Sequence, residues 1–498
     1  MRSRVIASAS GKMVSGLIKI TVLSCIGLNN TALAQADILE DTNAGVLVSS
    51  AEEGRLPELH TLLGMALVND SDLSRQRYEL LATEQEVDMA WSRLKPHVTL
   101  GGAYTYQESD NYYTDNPDYD PGSEVVNNDY EARYEGQTRD RNWQVSLSQP
   151  LFSIESWRKV DEADAQVEAS RLEVAVGESE LAMSVVDAYL GSFLSSRKVA
   201  LLDSKRKSLE LQLKQAKRSY ELGIGDRLNV LEARSRLDQS VADRVKAENE
   251  LENSLGELER LTGVRAEFGD VLGDLRALSL PKVEGGADDW LTRVTNNLEV
   301  KLAAQELKIA RANISTRRAG HYPEVTLNMS YSDRDSNDPY RESTDAQASV
   351  QFELPLYEGG YTSANVRQGE YAVKASESTL TNARRLARQR IRESLRNIQG
   401  GLQQLAALGE SIDSSRLFLE AAEKGEQLGL RDLVDVLDAR AELYDLRIQY
   451  VDGLRQYLFS RLELEVAVGD LDTDDLAKVV GLLNSLVAGS GHIDGSQA

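Results

Sequence analysis

The thirteen residues LGIGDRLNVLEAR at 222–234 return as LGLRDLVDVLDAR at 428–440, seven of them unchanged, at an offset of 206. Two more pairs extend the likeness. KPHVTLGGAY (95–104) returns as YPEVTLNMSY (322–331), with Pro96 over Pro323 and an offset of 227. WQVSLSQPLF (143–152) returns as ASVQFELPLY (348–357), with Pro150 over Pro355 and an offset of 205. A tandem duplication constrains the fold more than any local motif, because both halves must build the same supersecondary unit. The fall from 227 to 205 places a 22-residue excess in the first copy, between Tyr104 and Trp143. That excess lies in a Tyr- and Asp-rich polar stretch that reads as a loop.

The nine prolines map both halves. Pro57 precedes the first helix, Pro96, Pro150, Pro323 and Pro355 flank short alternating runs, and Pro281 lies between the repeats; none falls in 157–262, 287–320 or 358–498. Proline inside a helix costs about 3 kcal/mol, so these tracts, rich in Ala, Leu, Glu, Arg and Gln, read as helices. Val160, Val167, Val174, Leu181 and Ala188 recur every seven residues, which marks a coiled-coil seam. The tract from Trp157 to Leu222 would reach ~100 Å at 1.5 Å per residue.

Four runs alternate with period two instead. Val98, Leu100, Tyr104 and Tyr106 form the first, and Trp143, Val145 and Leu147 the second. Val325, Leu327, Met329 and Tyr331 form the third, and Ala348, Val350, Phe352 and Leu354 the fourth. Each predicts a strand of about ten residues with one apolar face, the length of a tilted strand crossing an outer membrane. Tyr104, Tyr106, Trp143 and Tyr331 would belong to one interfacial aromatic belt, and Phe152, Trp157 and Tyr357 to another. The pattern alone fits a small soluble sheet on helices equally well. Geometry separates the two readings. Four strands cannot close a barrel, and an open membrane sheet has two unpaired edges, so a membrane sheet requires several copies of the chain.

The start of the chain reads as an export signal. Arg2, Arg4, Lys12 and Lys19 accompany the apolar run ITVLSCIGL and the small-residue site Ala32-Leu33-Ala34, which predicts cleavage after Ala34. Cys25, the only cysteine, leaves with that leader, so the mature chain forms no disulfide. Leu23 occupies the place where a lipidation signal carries a small residue, which argues against a lipidated Cys25. Removing the four cations takes the net charge from −24 to −28, which disfavours nucleic acid. His60, His97, His321 and His492 are scattered, and no metal-ligand spacing, phosphate loop or nucleophile motif appears. Asp115, Asp118 and Asp120 do not have the spacing of a standard calcium loop. No enzyme, cofactor or metal is predicted.

The repeated phrase falls where a long helix ends and the next begins. Gly223 and Gly429 suit the left-handed conformation that stops a helix, and Asp226 and Asp432 suit caps of the following one. Turn chemistry alone does not require Val230-Leu231 and Val436-Leu437, each followed closely by Ala-Arg, to match as they do.

With the duplication, the QPLF and LPLYEGG junctions and both tip phrases, the chain resembles the TolC family of trimeric outer-membrane efflux and type I secretion channels. The second tip carries the most specific likeness, Gly429-Leu-Arg-Asp-Leu-Val-Asp-Val-Leu-Asp-Ala439. The resemblance implies a mainly α fold with a membrane β part. Long coiled-coil helices would form a periplasmic tunnel, and four strands per chain would contribute to a 12-stranded barrel in a homotrimer. It also implies an iris-like entrance whose gate holds Arg431, Asp435 and Asp438. Leu222, Gly223, Ile224, Asp226, Leu428, Gly429, Leu430 and Asp432 would form the tips that dock a periplasmic membrane-fusion adaptor. Implied partners are outer-membrane lipid and an inner-membrane ABC or RND transporter. Three positions depart from the family's pattern: Asp226, Asn229 and Glu426 stand where members often have Ser or Thr, Asp and Tyr.

The expected organisation is a leader (1–34), an N-terminal segment and ascending helix (35–95), and a hairpin (96–151). A helical hairpin (152–262) and a linker (263–286) complete the first half. The second half holds an ascending helix (287–322), a hairpin (323–357) and a helical hairpin (358–469), followed by a C-terminal segment (470–498).

Overall fold

Each half of the chain folds into the same series of elements. The computed structural model describes residues 59–113, 133–266, 268, 276, 280, 283, 285–337, 341–470, 478 and 481, with backbone alone at 109–113 and 133–137. All lie in the unit Gly54–Ala498. The leader, Asp115, Asp118, Asp120 and the tail GSGHIDGSQA fall outside the described residues.

The first half runs α1 (Leu59–Asn69), α2 (Ser71–Ser92), β1 (His97–Tyr113), β2 (Arg133–Ser153), α3 (Ile154–Glu221) and α4 (Arg227–Thr262). The second runs α5 (Ala287–Thr292), a 3-10 turn (Arg293–Thr295) and α6 (Leu298–Ala319), then β3 (Glu324–Ser336), β4 (Ser343–Glu353), α7 (Tyr361–Gln427) and α8 (Leu433–Val468). The halves agree closely in length: α2 and α6 have 22 residues each, α4 and α8 36 each, and α3 and α7 have 68 and 67.

The ascending segments are broken where a side chain caps the longer piece. The Asp70 carboxylate accepts from the Leu73 N–H (2.7 Å) and starts α2. Asn297 accepts from the Val300 N–H (3.0 Å) to start α6, and its amide donates to the Ala467 carbonyl (3.0 Å) at the end of α8. One amide therefore closes two helix ends.

The heptad seam of α3 is buried at Val160, Val167, Leu181 and Ala188, and continues through Leu202, Leu209 and Ala216. On α7 the matching seam buries Leu380, Ala387, Ile391 and Ile398. Large buried side chains concentrate where the short and long helices meet: Tyr189, Phe193, Leu258, Tyr457 and Leu458. Phe268 packs on Tyr189 and Phe193 with ring centroids 5.3 and 6.1 Å apart.

The four strands form one antiparallel sheet in the order β1-β2-β3-β4. Its register gathers the apolar faces into rows. Leu100, Val145, Tyr331 and Ala346 lie across one row, and Val98, Leu147, Met329 and Ala348 across another. One residue along each strand, Thr99, Ser146, Ser330 and Gln347 make a polar row. One face is thus a band of apolar side chains and the other is hydroxyls and amides. Trp143 stacks near Tyr331 (5.3 Å between centroids), and its indole N–H donates to Asp333 (3.1 Å), as a residue at an apolar–polar boundary does. The strands are longer than the ten-residue runs predicted, with 17 residues in β1 and 21 in β2. Backbone pairing continues past the alternating stretch because it needs no apolar side chain. The register of β2 on β3 slips between Pro150, which has no N–H to give, and Phe152.

Candidate functional site at the paired helical tips

At the first tip, the Ile224 N–H donates to the Ser219 carbonyl (3.1 Å) and the Gly223 N–H to Tyr220 (3.0 Å). At the second, Leu430 donates to Gly425 (2.8 Å) and Gly429 to Glu426 (2.9 Å). Both are Schellman closures around a left-handed residue, Gly223 at φ +72° and Gly429 at φ +73°. Asp226 and Asp432 then occupy the N-cap positions of α4 and α8. The Asp226 carboxylate accepts from the Leu228 N–H (3.2 Å), whereas the Asp432 side chain makes no cap bond.

These turns hold apolar side chains out in the open. Leu222, Ile224, Leu428 and Leu430 keep 58, 79, 74 and 77% of their surface exposed. Behind them a small core of Leu209, Ala216, Ala233 and Leu437 ties the two hairpins together.

The two tips solve one packing problem in opposite ways. A side chain six residues beyond a late α3 or α7 position lies directly against that position. In the first tip Ser219 fills the space, and a Cβ on Gly225 would come within 2.9 Å of the Ser219 Cβ. In the second tip Gly425 leaves the space, and the Arg431 stem fills it, 2.8 Å from where a Cβ on Gly425 would sit. The repeat offset aligns Ser219 with Gly425 and Gly225 with Arg431. Arg431 can lie back along the helix only because residue 425 is glycine.

From there the Arg431 guanidinium reaches the Phe418 ring (5.9 Å to the centroid) and pairs with Asp435 at 3.4 Å. Asp438 is held elsewhere: Arg236 on α4 bonds it at 2.6 Å while also pairing with Glu232 at 3.0 Å. Of the three predicted gate residues, the structure therefore joins Arg431 to Asp435 and leaves Asp438 to a different cation. Arg236 was not among the predicted residues. Its helical partner Glu232 aligns with Asp438 at the repeat offset, so the repeat alignment shows where a second acid lies, but not that one arginine spans both. Further up, Arg440 binds Glu423 and Ser208, locking α8 to both long helices. The chemistry on offer is electrostatic, with carboxylates and guanidinia on exposed helix faces. No cluster of His, Cys, Asp or Glu fit to hold a metal occurs among the described residues, and no helix among them is long and apolar enough to cross a membrane.

Residues 62–264 and 294–470 match the family model of outer membrane efflux proteins, one match for each half. Outer membrane protein TolC of Vibrio cholerae serotype O1 is 27% identical over 442 residues, covering 87% of this chain and 95% of the relative. The alkaline protease secretion protein AprF of Pseudomonas aeruginosa is 27% identical over 343 residues, covering 67% of this chain and 71% of the relative. Among solved structures, CusC superposes with a TM-score of 0.71 at 18% identity, covering 83% of this chain and 92% of that one. The Campylobacter jejuni CmeC outer membrane channel does so with a TM-score of 0.71 at 15% identity, covering 86% and 90%.

Proposed function

The chain belongs to the outer membrane efflux protein family, and on that premise we propose that it is an exit duct of the Gram-negative outer membrane. Three copies would complete the duct. It would take drugs or proteins from an inner-membrane ABC or RND transporter through a periplasmic adaptor. The observation that carries this reading is a four-stranded sheet with a continuous apolar face and two open edges, standing at one end of helices ~100 Å long. One copy leaves two edges unpaired; three copies joined β4 to β1 leave none. The apolar band then meets lipid and the polar rows line a lumen.

At the far end of the helices, the exposed leucines and Ile224 form the docking surface for the adaptor, since apolar side chains at an extended tip need a partner. Asp435 and Asp438 form the acidic constriction, with Arg431 and Arg236 as its counter-charges. Six carboxylates would ring one narrow opening. Two such charges ~6 Å apart repel by roughly 0.7 kcal/mol in water and about 3 kcal/mol at an effective dielectric of 20, so the ring favours cations. Single-channel recording in planar bilayers tests both parts. Wild-type protein should give discrete, cation-selective conductance, blocked by multivalent cations, and Asp435→Ala/Asp438→Ala should lose selectivity and block together. A chain that inserts no conductance is not a duct. A double variant with wild-type selectivity would put the gate elsewhere.

A further inference from the structure

The two halves agree in fold and disagree in charge. α2 holds five acids and two bases, whereas its counterpart α6 holds two acids and five bases. The sheet-proximal stretch of α3, 155–196, holds nine acids and three bases; its counterpart on α7, 361–402, holds three acids and eight bases. In a chain of net charge −24, one helical pair is strongly basic, α6 with the sheet-proximal stretch of α7.

Within the chain, the acidic α3 packs against the basic α6 of the other half. Glu162 accepts from Asn313 (2.7 Å) and Thr316 (3.0 Å), and Gln305 donates to the Ala165 carbonyl (2.9 Å). The equivalent flank of α7 has no such cover. Asp161 and Glu168, on the stretch of α3 that lies beside α6, become Arg367 and Lys374 on α7 at the repeat offset, both exposed. Neither Arg367 nor Lys374 pairs with an acid among the described residues. α7 continues β4, and α2 leads into β1, the two open edges of the sheet. Closing those edges between copies sets α7 of one beside α2 of the next. The in-chain seam then maps onto that junction. Ala165 and Gln305 become Tyr371 and Tyr78, which are 68 and 66% exposed, and Asn313 becomes Glu86, which is exposed with no ion-pair partner among the described residues.

We propose that the basic flank of α7 receives the acidic α2 of a second copy of this chain, repeating the α3–α6 seam with its charges inverted. The proposal rests on the trimeric reading above. Every contact between halves then joins opposite signs around the ring, and a wrongly ordered contact sets like against like. The seam is exposed, so salt screens it.

Sign reversal on one helix tests it. Arg367→Glu/Lys374→Glu and, separately, Glu86→Lys should each raise dissociation of the detergent-extracted trimer about tenfold or more at about 0.05 M salt. The difference from wild type should shrink at about 0.5 M. A chain carrying both sets should recover. A disulfide between Tyr78→Cys and Tyr371→Cys, in a Cys25→Ser background, should link copies into a covalent ladder, a readout that survives if a reversed chain fails to fold. A stable trimer indifferent to both reversals, or a folded trimer with no cross-link, overturns the seam alone. A wild-type chain that never trimerises overturns the trimeric reading and the seam with it.

Discussion

Arg431 and Gly425 are a matched pair, and changing one of them alone should show it. Gly425→Ser puts a side chain where the arginine stem lies, a local overpacking that costs about 1–3 kcal/mol. Amide hydrogen exchange at the second tip should speed up. The swap Gly425→Ser/Arg431→Gly, which copies the first tip, should bring exchange back to wild-type rates but leave Asp435 without its cation. A second prediction follows from the two separate counter-charges. Arg431→Ser should raise conductance by freeing Asp435, and Arg236→Ala should raise it by freeing Asp438. Because Asp435 and Asp438 lie one helix turn apart and repel each other once both are freed, the double variant should open more than either single one, and its effect should exceed their sum. A combined variant no more conductive than either single one would mean that one pair alone holds the tip. The Arg431–Asp435 pair was legible from its four-residue spacing. The Arg236–Asp438 pair was not, since it joins residues 202 positions apart through the packing of α4 on α8.

The elements most readable in the sequence were those whose signals are local and strong. Proline-free tracts, a seven-residue seam and Gly–x–x–Asp turns place α3, α4, α7 and α8 to within a few residues. The strands were visible through alternation, but their full length was not, because backbone pairing beyond the apolar rows leaves no side-chain pattern. The breaks before α2 and α6 were also missed, since their capping residues, Asp70 and Asn297, sit inside otherwise helical sequence. At the tips, Gly223→Val or Gly429→Val forces a β-branched residue into a left-handed conformation, costing at least about 1–2 kcal/mol locally. Open space surrounds both positions, so the strain is in the backbone alone. Export in cells should be lost while the extracted trimer and its conductance persist; unchanged export would mean that the turns dock nothing. Higher on the hairpin, Lys207 and then Arg206 hold the Asp203 carboxyl below the usual carboxylate range, and Arg244 joins it from α4 at 3.7 Å. With its folded value lowered, Asp203 adds stability above the unfolded carboxylate pKa of about 3.9, and that stability is lost as pH falls through the folded value. Asp203→Asn should therefore weaken the α3–α4 hairpin at neutral pH and leave it unchanged in strong acid, as hydrogen exchange would report.

For the whole molecule, the test is stoichiometry. Detergent-extracted mature chain should run as a trimer on native mass spectrometry, and a monodisperse monomer that keeps its β signal in circular dichroism would contradict edge closure. The duplication made the two-half architecture plain from the sequence. The opposed charges of the halves were equally present there, yet carried no meaning until the contacts showed which helices of different halves touch. The long helices have a mechanical consequence as well. α3 and α7 are rods of ~100 Å fixed at the sheet, so a one-degree tilt there moves the far end by ~1.7 Å. That displacement is enough to pull apart the Arg236–Asp438 pair, which joins the two hairpins at 2.6 Å. The tip is in effect the pointer of a lever, and a force applied near it works with the full length of the arm against a nearly stationary pivot.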